Sequence, residues 1–164
     1  MHDANAGLNI TVRHATANDC AGILASHVAA IRELCAGDYS DTQLLTWSSR
    51  LTPDGYLPAI ASHLFLVAEH HSQVIGFAEF APASGEVIAV YVHPRYSRQG
   101  VGTMLFQAVE RHALEAGTHE LYLSSSITAV PFYKRFGFLA GQQTSHRLGD
   151  GTEIPCVPMR RTTR

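Results

Sequence analysis

The run Glu86-Val-Ile-Ala-Val-Tyr-Val-His-Pro-Arg-Tyr-Ser-Arg-Gln-Gly-Val-Gly-Thr103 carries the strongest structural signal in the chain. Glu86 to Val92 is rich in β-branched and aromatic residues and reads as a strand. His93 to Gln99 is a polar loop. From about Gly100 to Ala116 the apolar positions Val101, Met104, Leu105, Ala108, Val109 and Leu114 fall on one helical stripe, and Gly117 suits the stop. A helix start leaves about four backbone N–H groups unpaired and carries partial positive charge. Glycines there let an anion reach the backbone, so Gly100 and Gly102 mark a candidate phosphate cradle. Two glycines alone also suit a plain flexible loop.

Upstream, Leu8 to His14 reads as a strand. Thr16-Ala17-Asn18-Asp19 has the capping pattern of a helix running through Ile23, Leu24, Val28, Ile31 and Leu34. Ser40-Asp41-Thr42-Gln43 repeats that pattern for a shorter helix carrying Leu44, Leu45 and Trp47, and Pro53-Asp54-Gly55 reads as a turn. His63 to His70 and Gln73 to Phe80 are strands that form a meander with Glu86 to Val92. Downstream, Leu121 to Leu123 is a strand and Thr128 to Phe136 a short helix with Pro131 in its first turn. Two strands from Phe138 onward pair through Gly149-Asp150-Gly151. The order β αα βββ α β α ββ predicts an α/β fold with a mixed sheet covered by helices on both faces.

The 164 residues fit one domain, expected over residues 8–162, since no repeat or linker divides them. Apolar residues make up 46% and charged residues 16%, which is enough to bury a core and too little charge for a disordered chain. The net charge of −2 offers no field for a nucleic-acid backbone, so nucleic acid is not expected as a partner. No apolar run reaches the ~18–20 residues of a membrane span, and the first ten residues lack the pattern of a secretory leader. Three widely spaced cysteines, Cys20, Cys35 and Cys156, form neither a disulfide frame nor a zinc ribbon. A reduced, cytoplasmic protein is expected. No metal site is expected either: there is no H-E-x-x-H, and His70-His71, if extended, would place its rings on opposite faces.

Elimination narrows the phosphate ligand. Thr103 follows Gly102 where a nucleotide-hydrolysing loop needs Lys, which argues against ATP and GTP. Position 105 is Leu rather than the third glycine of a dinucleotide fingerprint, and seven residues separate the strand from Gly100, which argues against NAD. Ser124-Ser125-Ser126 lacks the glycines of a serine-hydrolase elbow.

The pattern strand, His93-Pro94, Arg95-x-x-Arg98-Gln99-Gly100-x-Gly102, helix is followed about thirty residues on by Ser126-x-x-Ala129-x-x-Phe132-Tyr133-x-x-x-Gly137-Phe138. These two motifs, in this order and spacing, resemble the GNAT superfamily of acyl-CoA-dependent N-acyltransferases, over nearly the whole chain. The resemblance implies a mostly antiparallel, twisted sheet with helices on both faces. It implies acetyl-CoA as co-substrate, with the pyrophosphate held by the backbone of Arg98, Gln99, Gly100, Val101, Gly102 and Thr103. It also implies pantetheine on Val90 and Val92, with Ser126, Ala129 and Phe132 beside the cofactor and Tyr133 beside the thioester sulfur. One position departs from the family pattern: Ser97 stands where Gln or Arg is usual, so the side-chain grip should be weaker and the backbone cradle intact.

Acyl transfer needs a neutral amine, a polarised carbonyl and a protonated leaving thiolate. Tyr133, whose ordinary pKa is about 10, suits donation to a thiolate whose thiol lies near 8.5. Glu79, on the same strand face as Phe77, is the candidate base, with Glu86, Ser124 or bulk water as rivals. A backbone N–H near Val90 to Val92 would polarise the carbonyl. The resemblance implies that the acceptor, the primary amine of a small molecule or peptide, binds in a groove near residues 31–51, Tyr56 and 141–155. Tyr39, Trp47 and Tyr56 there either stack on it or fill the core. A non-catalytic acyl-CoA-binding module is the competing reading, and a homodimer through the C-terminal edge strands is compatible with the pattern.

Overall fold

The structure is a computed structural model that describes residues 7–163. Its strands are β1 (Thr11–His14), β2 (Leu64–His70), β3 (Gln73–Ala81), β4 (Glu86–Val92), β5 (Glu120–Ser126), β6 (Leu139–Ala140), β7 (Thr144–Arg147) and β8 (Glu153–Thr162). Its α-helices are α1 (Cys20–Ala29), α2 (Asp41–Ser49), α3 (Leu57–Ser62), α4 (Val101–Glu115) and α5 (Val130–Arg135). They form one mixed sheet in the order β1-β2-β3-β4-β5-β8-β6, with β7 also paired to β8. The pairing is antiparallel throughout except between β4 and β5, which run parallel.

Alternation along the strands separates two apolar layers. Leu66, Ala68, Ile75, Ala78, Phe80, Leu121 and Leu123 pack against α4 and α5 through Leu105, Phe106, Val109 and Tyr133. Phe65, Val67 and Phe77 point the other way, onto Cys20, Ile23 and Tyr56 from the α1–α3 side. Phe106 is fully buried, which contributes roughly 1.5–3 kcal/mol from burial of its side chain. The expected two-faced α/β sheet is what forms.

Several expected boundaries move, each for a local reason. α1 ends at Ala29 and Ala30–Leu34 continues as a wider π turn, so the expected single helix changes its winding. The Ser40 cap forms as read: Gln43 N–H donates to Ser40 Oγ at 3.1 Å and Ser40 N–H donates to Gln43 Oε1 at 2.9 Å. The region read as a turn at Pro53-Asp54-Gly55 is a 3-10 turn that leads directly into α3, with Pro58 inside the first turn where its missing N–H costs nothing. The two late strands are three, because β8 is long enough to pair with β5, β6 and β7.

Two irregularities position the cleft. Between β3 and β4, Glu79 pairs with Ala89 and Phe80 with Val87, which leaves Ile88 as an extra, bulged residue. β4 and β5 share a single register pair, Glu86 with Tyr122, before they part. A bulge bends and twists its strand, so β4 leaves β5 just beyond that pair and a wedge opens between them.

Candidate functional site

The wedge is a cleft, open to solvent, lined on one side by residues 88–92 of β4 and on the other by residues 124–126 of β5. Thr128, Ala129 and Tyr133 close one end, and Ala30, Leu34 and Cys35 from the π turn and its end form a third wall. The backbone phase of β4 follows from one bond. His93 N–H donates to Ile75 O at 2.8 Å, and Gly76 pairs with Val92. In an antiparallel ladder that pattern makes Gly76–Val92 a pair without mutual hydrogen bonds, so Tyr91 turns its N–H and C=O toward β3. Val90 and Val92 therefore turn theirs toward the cleft, where β5 no longer reaches them. These are backbone groups left for a ligand.

At the far end of β4 the chain enters α4 through Arg98 at φ 59° and Gly100 at φ 84°. The first helical bond is Met104 N–H to Gly100 O at 3.0 Å, and no side chain caps the helix. The N–H groups of Gly100, Val101, Gly102 and Thr103 thus face outward without intrahelical partners, at the positive end of the dipole. Arg98, Gln99 and Gly100 are exposed, whereas the Val101 side chain is buried in the core, so only its N–H faces outward. Ser97, the residue that departs from the family pattern, donates its hydroxyl to Pro94 O at 2.9 Å and is not free for a ligand. A Cβ on Gly102 would stand 3.2 Å from Phe132 Cε2, which ties the start of α4 to α5.

Ser126, Ala129, Phe132 and Tyr133 come from the end of β5, the turn after it and α5. Ala129 N–H donates to Ser126 Oγ at 3.1 Å, so Ser126 organises the chain into α5 while lining the cleft. Tyr133 packs edge-on against Phe106, Phe132 and Phe138. Its ring is buried, yet its hydroxyl has no partner among the described residues and is not sealed from solvent, so it opens into the cleft. Burial raises the Tyr133 phenol well above its ordinary value and keeps it protonated at neutral pH.

Glu79 is largely buried for a strand carboxylate. Its Oε2 lies 2.7 Å from His63 Nδ1, and its side chain is 14% exposed. It sits directly across β3–β4 from Ala89, a cleft residue, so the two share one face. Ser124 also lines the cleft, whereas Glu86 lies at the closed junction where β4 and β5 still pair.

The expected acceptor-side aromatics are structural in part. Tyr39 is buried, donates to Pro155 O at 2.7 Å and accepts from Ile127 N–H at 2.9 Å. Tyr56 is buried and its hydroxyl meets His27 Nδ1 at 2.9 Å, while Trp47 packs beside Tyr39. The His70–His71 rings are 4.1 Å apart rather than on opposite faces, because His71 adopts φ 48° in the hairpin turn. No group of three or more metal-ligating side chains occurs among the described residues. Sequence reasoning missed His63 and Ala30, and it placed Leu34 and Cys35 only within the broad 31–51 stretch, not on a wall of the β4–β5 cleft. The winding change that brings that wall to the cleft has no signature in the residue pattern.

Comparison with known proteins is consistent with this geometry. A family model described as "Acetyltransferase (GNAT) domain" matches residues 35–163. The curated "Uncharacterized N-acetyltransferase YafP" of Escherichia coli (strain K12) is 26% identical over 135 residues, 82% of this chain and 85% of that protein. A solved structure described as a GCN5-related N-acetyltransferase, "Aminotransferase, Class-II", from Rhodopseudomonas palustris superposes with a TM-score of 0.88 at 27% identity, covering 99% of each chain. The PaiA N-acetyltransferase of Thermoplasma acidophilum, solved with coenzyme A, shares the fold with a TM-score of 0.74 at 19% identity, over 94% of this chain and 99% of that one.

Proposed function

This chain belongs to the GNAT acetyltransferase family and uses acetyl-CoA as acetyl donor, and we propose that it carries the acetyl group to a primary amine by direct attack within the β4–β5 cleft. One observation supports this reading most: unpaired backbone groups run from the start of α4 through Val92 and Val90 to a buried phenol that opens into the same cleft.

In the proposed reaction the N–H groups of residues 98–103 hold the pyrophosphate and the backbone of Val92 and Val90 aligns the pantetheine. The backbone N–H of Val90 or Val92 polarises the thioester carbonyl. Glu79 accepts a proton from the incoming ammonium, the amine nitrogen attacks the carbonyl carbon, and the carbon–sulfur bond breaks. The Tyr133 hydroxyl gives its proton to the departing thiolate and recovers one from the amide nitrogen. The products are the acetylated amine, free CoA thiol and one proton released to water. No metal takes part in this scheme. Three free, buried cysteines support a reducing, cytoplasmic setting, and no described helix is long and apolar enough to cross a membrane.

The test is calorimetric titration of acetyl-CoA, with NADH and ATP as controls, followed by CoA release across a panel of primary amines. Tyr133→Phe is expected to keep acetyl-CoA affinity and lower kcat by about 10²–10⁴-fold. Unchanged turnover at saturating amine rejects Tyr133 as the acid, and binding of acetyl-CoA without turnover of any amine favours a binding module.

A further inference from the structure

We propose that His63 is the positioning residue of the amine-deprotonating carboxylate: its Nδ1–H holds Glu79 Oε2 and leaves Oε1 as the oxygen presented to the incoming ammonium. The inference rests on the acetyl-transfer reading above and assigns a residue that nothing in the family motifs marks.

The geometry starts from register. β2 and β3 pair Phe65 with Glu79, and β3 and β4 pair Glu79 with Ala89. Residues directly opposite in an antiparallel pair share a face with Cβ atoms about 4.5–5.5 Å apart, so Phe65, Glu79 and Ala89 form a row across three strands on the α1–α3 side. Ala89 lines the cleft. His63 lies two residues before Phe65 and so belongs to the same face. Its backbone is fixed at the end of α3, where His63 N–H donates to Ala59 O at 2.8 Å. The ring therefore approaches Glu79 from the side away from the cleft.

An ionised carboxylate only accepts hydrogen bonds, so the 2.7 Å contact makes His63 Nδ1 the donor and sets the ring's tautomer when it is neutral. Oε1 has no partner among the described residues and is not sealed from solvent. Exposure rises outward, from 14% for the Glu79 side chain to 33% for that of His63. One carboxylate oxygen is thus anchored by His63 on the side away from the cleft, and the other is left for the substrate. The step is a proton transfer: an N–H bond of the ammonium breaks, an Oε1–H bond forms, and the proton then leaves to water.

The test uses two acceptors that differ in what they demand. n-Butylamine is an ammonium at neutral pH and must lose a proton before attack, whereas hydroxylamine is already unprotonated. His63→Leu is expected to lower kcat with n-butylamine by at least about ten-fold while transfer to hydroxylamine stays near the unsubstituted rate. His63→Asn, which keeps a donor near the Nδ1 position, is expected to restore n-butylamine transfer. Equal loss with both acceptors, or Asn no better than Leu, overturns the assignment. So does an ammonium-specific loss in Glu86→Gln that is absent from Glu79→Gln. Acetyl-CoA titration confirms that each variant is folded. If the unsubstituted protein binds acetyl-CoA yet releases no CoA with any amine, the transfer reading itself fails and this inference with it. If Tyr133→Phe abolishes transfer while His63→Leu changes nothing, only the role of His63 is lost.

Discussion

Gly100 combines two requirements in one position. Its φ of 84° disfavours any side chain, and a Cβ there would meet nothing within 4 Å, so the space beside it is open. Gly100→Asp places a carboxylate where the phosphate charge is expected, on a backbone strained by about 1–2 kcal/mol. Acetyl-CoA binding should disappear in calorimetry while far-UV circular dichroism stays unchanged. At His27 a single residue couples pH to stability. Burial lowers its imidazole from 6.5 to about 4, because the ring is enclosed by Tyr56, Phe77 and Tyr91. Between those two values the unfolded chain binds a proton that the folded chain refuses, so stability rises with pH across the window and is lost as pH falls through it. Below about pH 4 both states are protonated and this contribution stops changing. The loss should be about 3–3.5 kcal/mol, read from melts at several pH values. His27→Gln should flatten the slope in that window.

α4 and α5 work as a pair because Gly102 lets the Phe132 ring approach. Gly102→Val adds methyl groups against a ring already 3.2 Å from the first Cβ, so α5 must shift or the ring must leave its rotamer, at about 1–3 kcal/mol. Since Tyr133 follows Phe132, the expected result is a lower melting temperature together with a reduced kcat, measured on the same preparation. The elements themselves were largely legible. α4 has a clear apolar stripe, α2 has a capping box made by neighbours in sequence, and the β2–β4 meander is separated by turn residues. α3 was not, because Pro58 and Gly55 suit a turn and a helix start equally well, and the π turn at Ala30–Leu34 leaves no mark in the residue pattern. The fate of β8 was also hidden: its prolines 155 and 158 argue against a central strand, yet it carries three partners.

Tyr39 ties distant parts of the molecule together. Its hydroxyl donates to Pro155 O and accepts from Ile127 N–H, joining the segment between α1 and α2 to β8 and to the turn before α5. Tyr39→Phe leaves both backbone groups without that partner and should cost about 1–3 kcal/mol, seen as a lower denaturation midpoint, with weaker acetyl-CoA binding because the cleft wall at Cys35 loosens. The residues themselves determined the strand–loop–helix unit at Glu86–Thr103, the second motif around Tyr133, and hence the family and the co-substrate. These depend on contacts within a few residues: unpaired N–H groups at a helix start, glycine at a positive φ, a stripe at helical spacing. Tertiary structure decided the rest. Counting back from the His71-Ser72 turn would pair Glu79 with Leu64, on the face toward α4. The extra residue at Ile75 shifts that register by one and turns Glu79 toward Phe65 and His63. Likewise the bulge at Ile88 parts β4 from β5 and opens the cleft. A strand's side-chain period is two, so one inserted residue exchanges its faces. Whether that insertion is tolerated depends on packing across the whole sheet, which no local stretch of sequence contains.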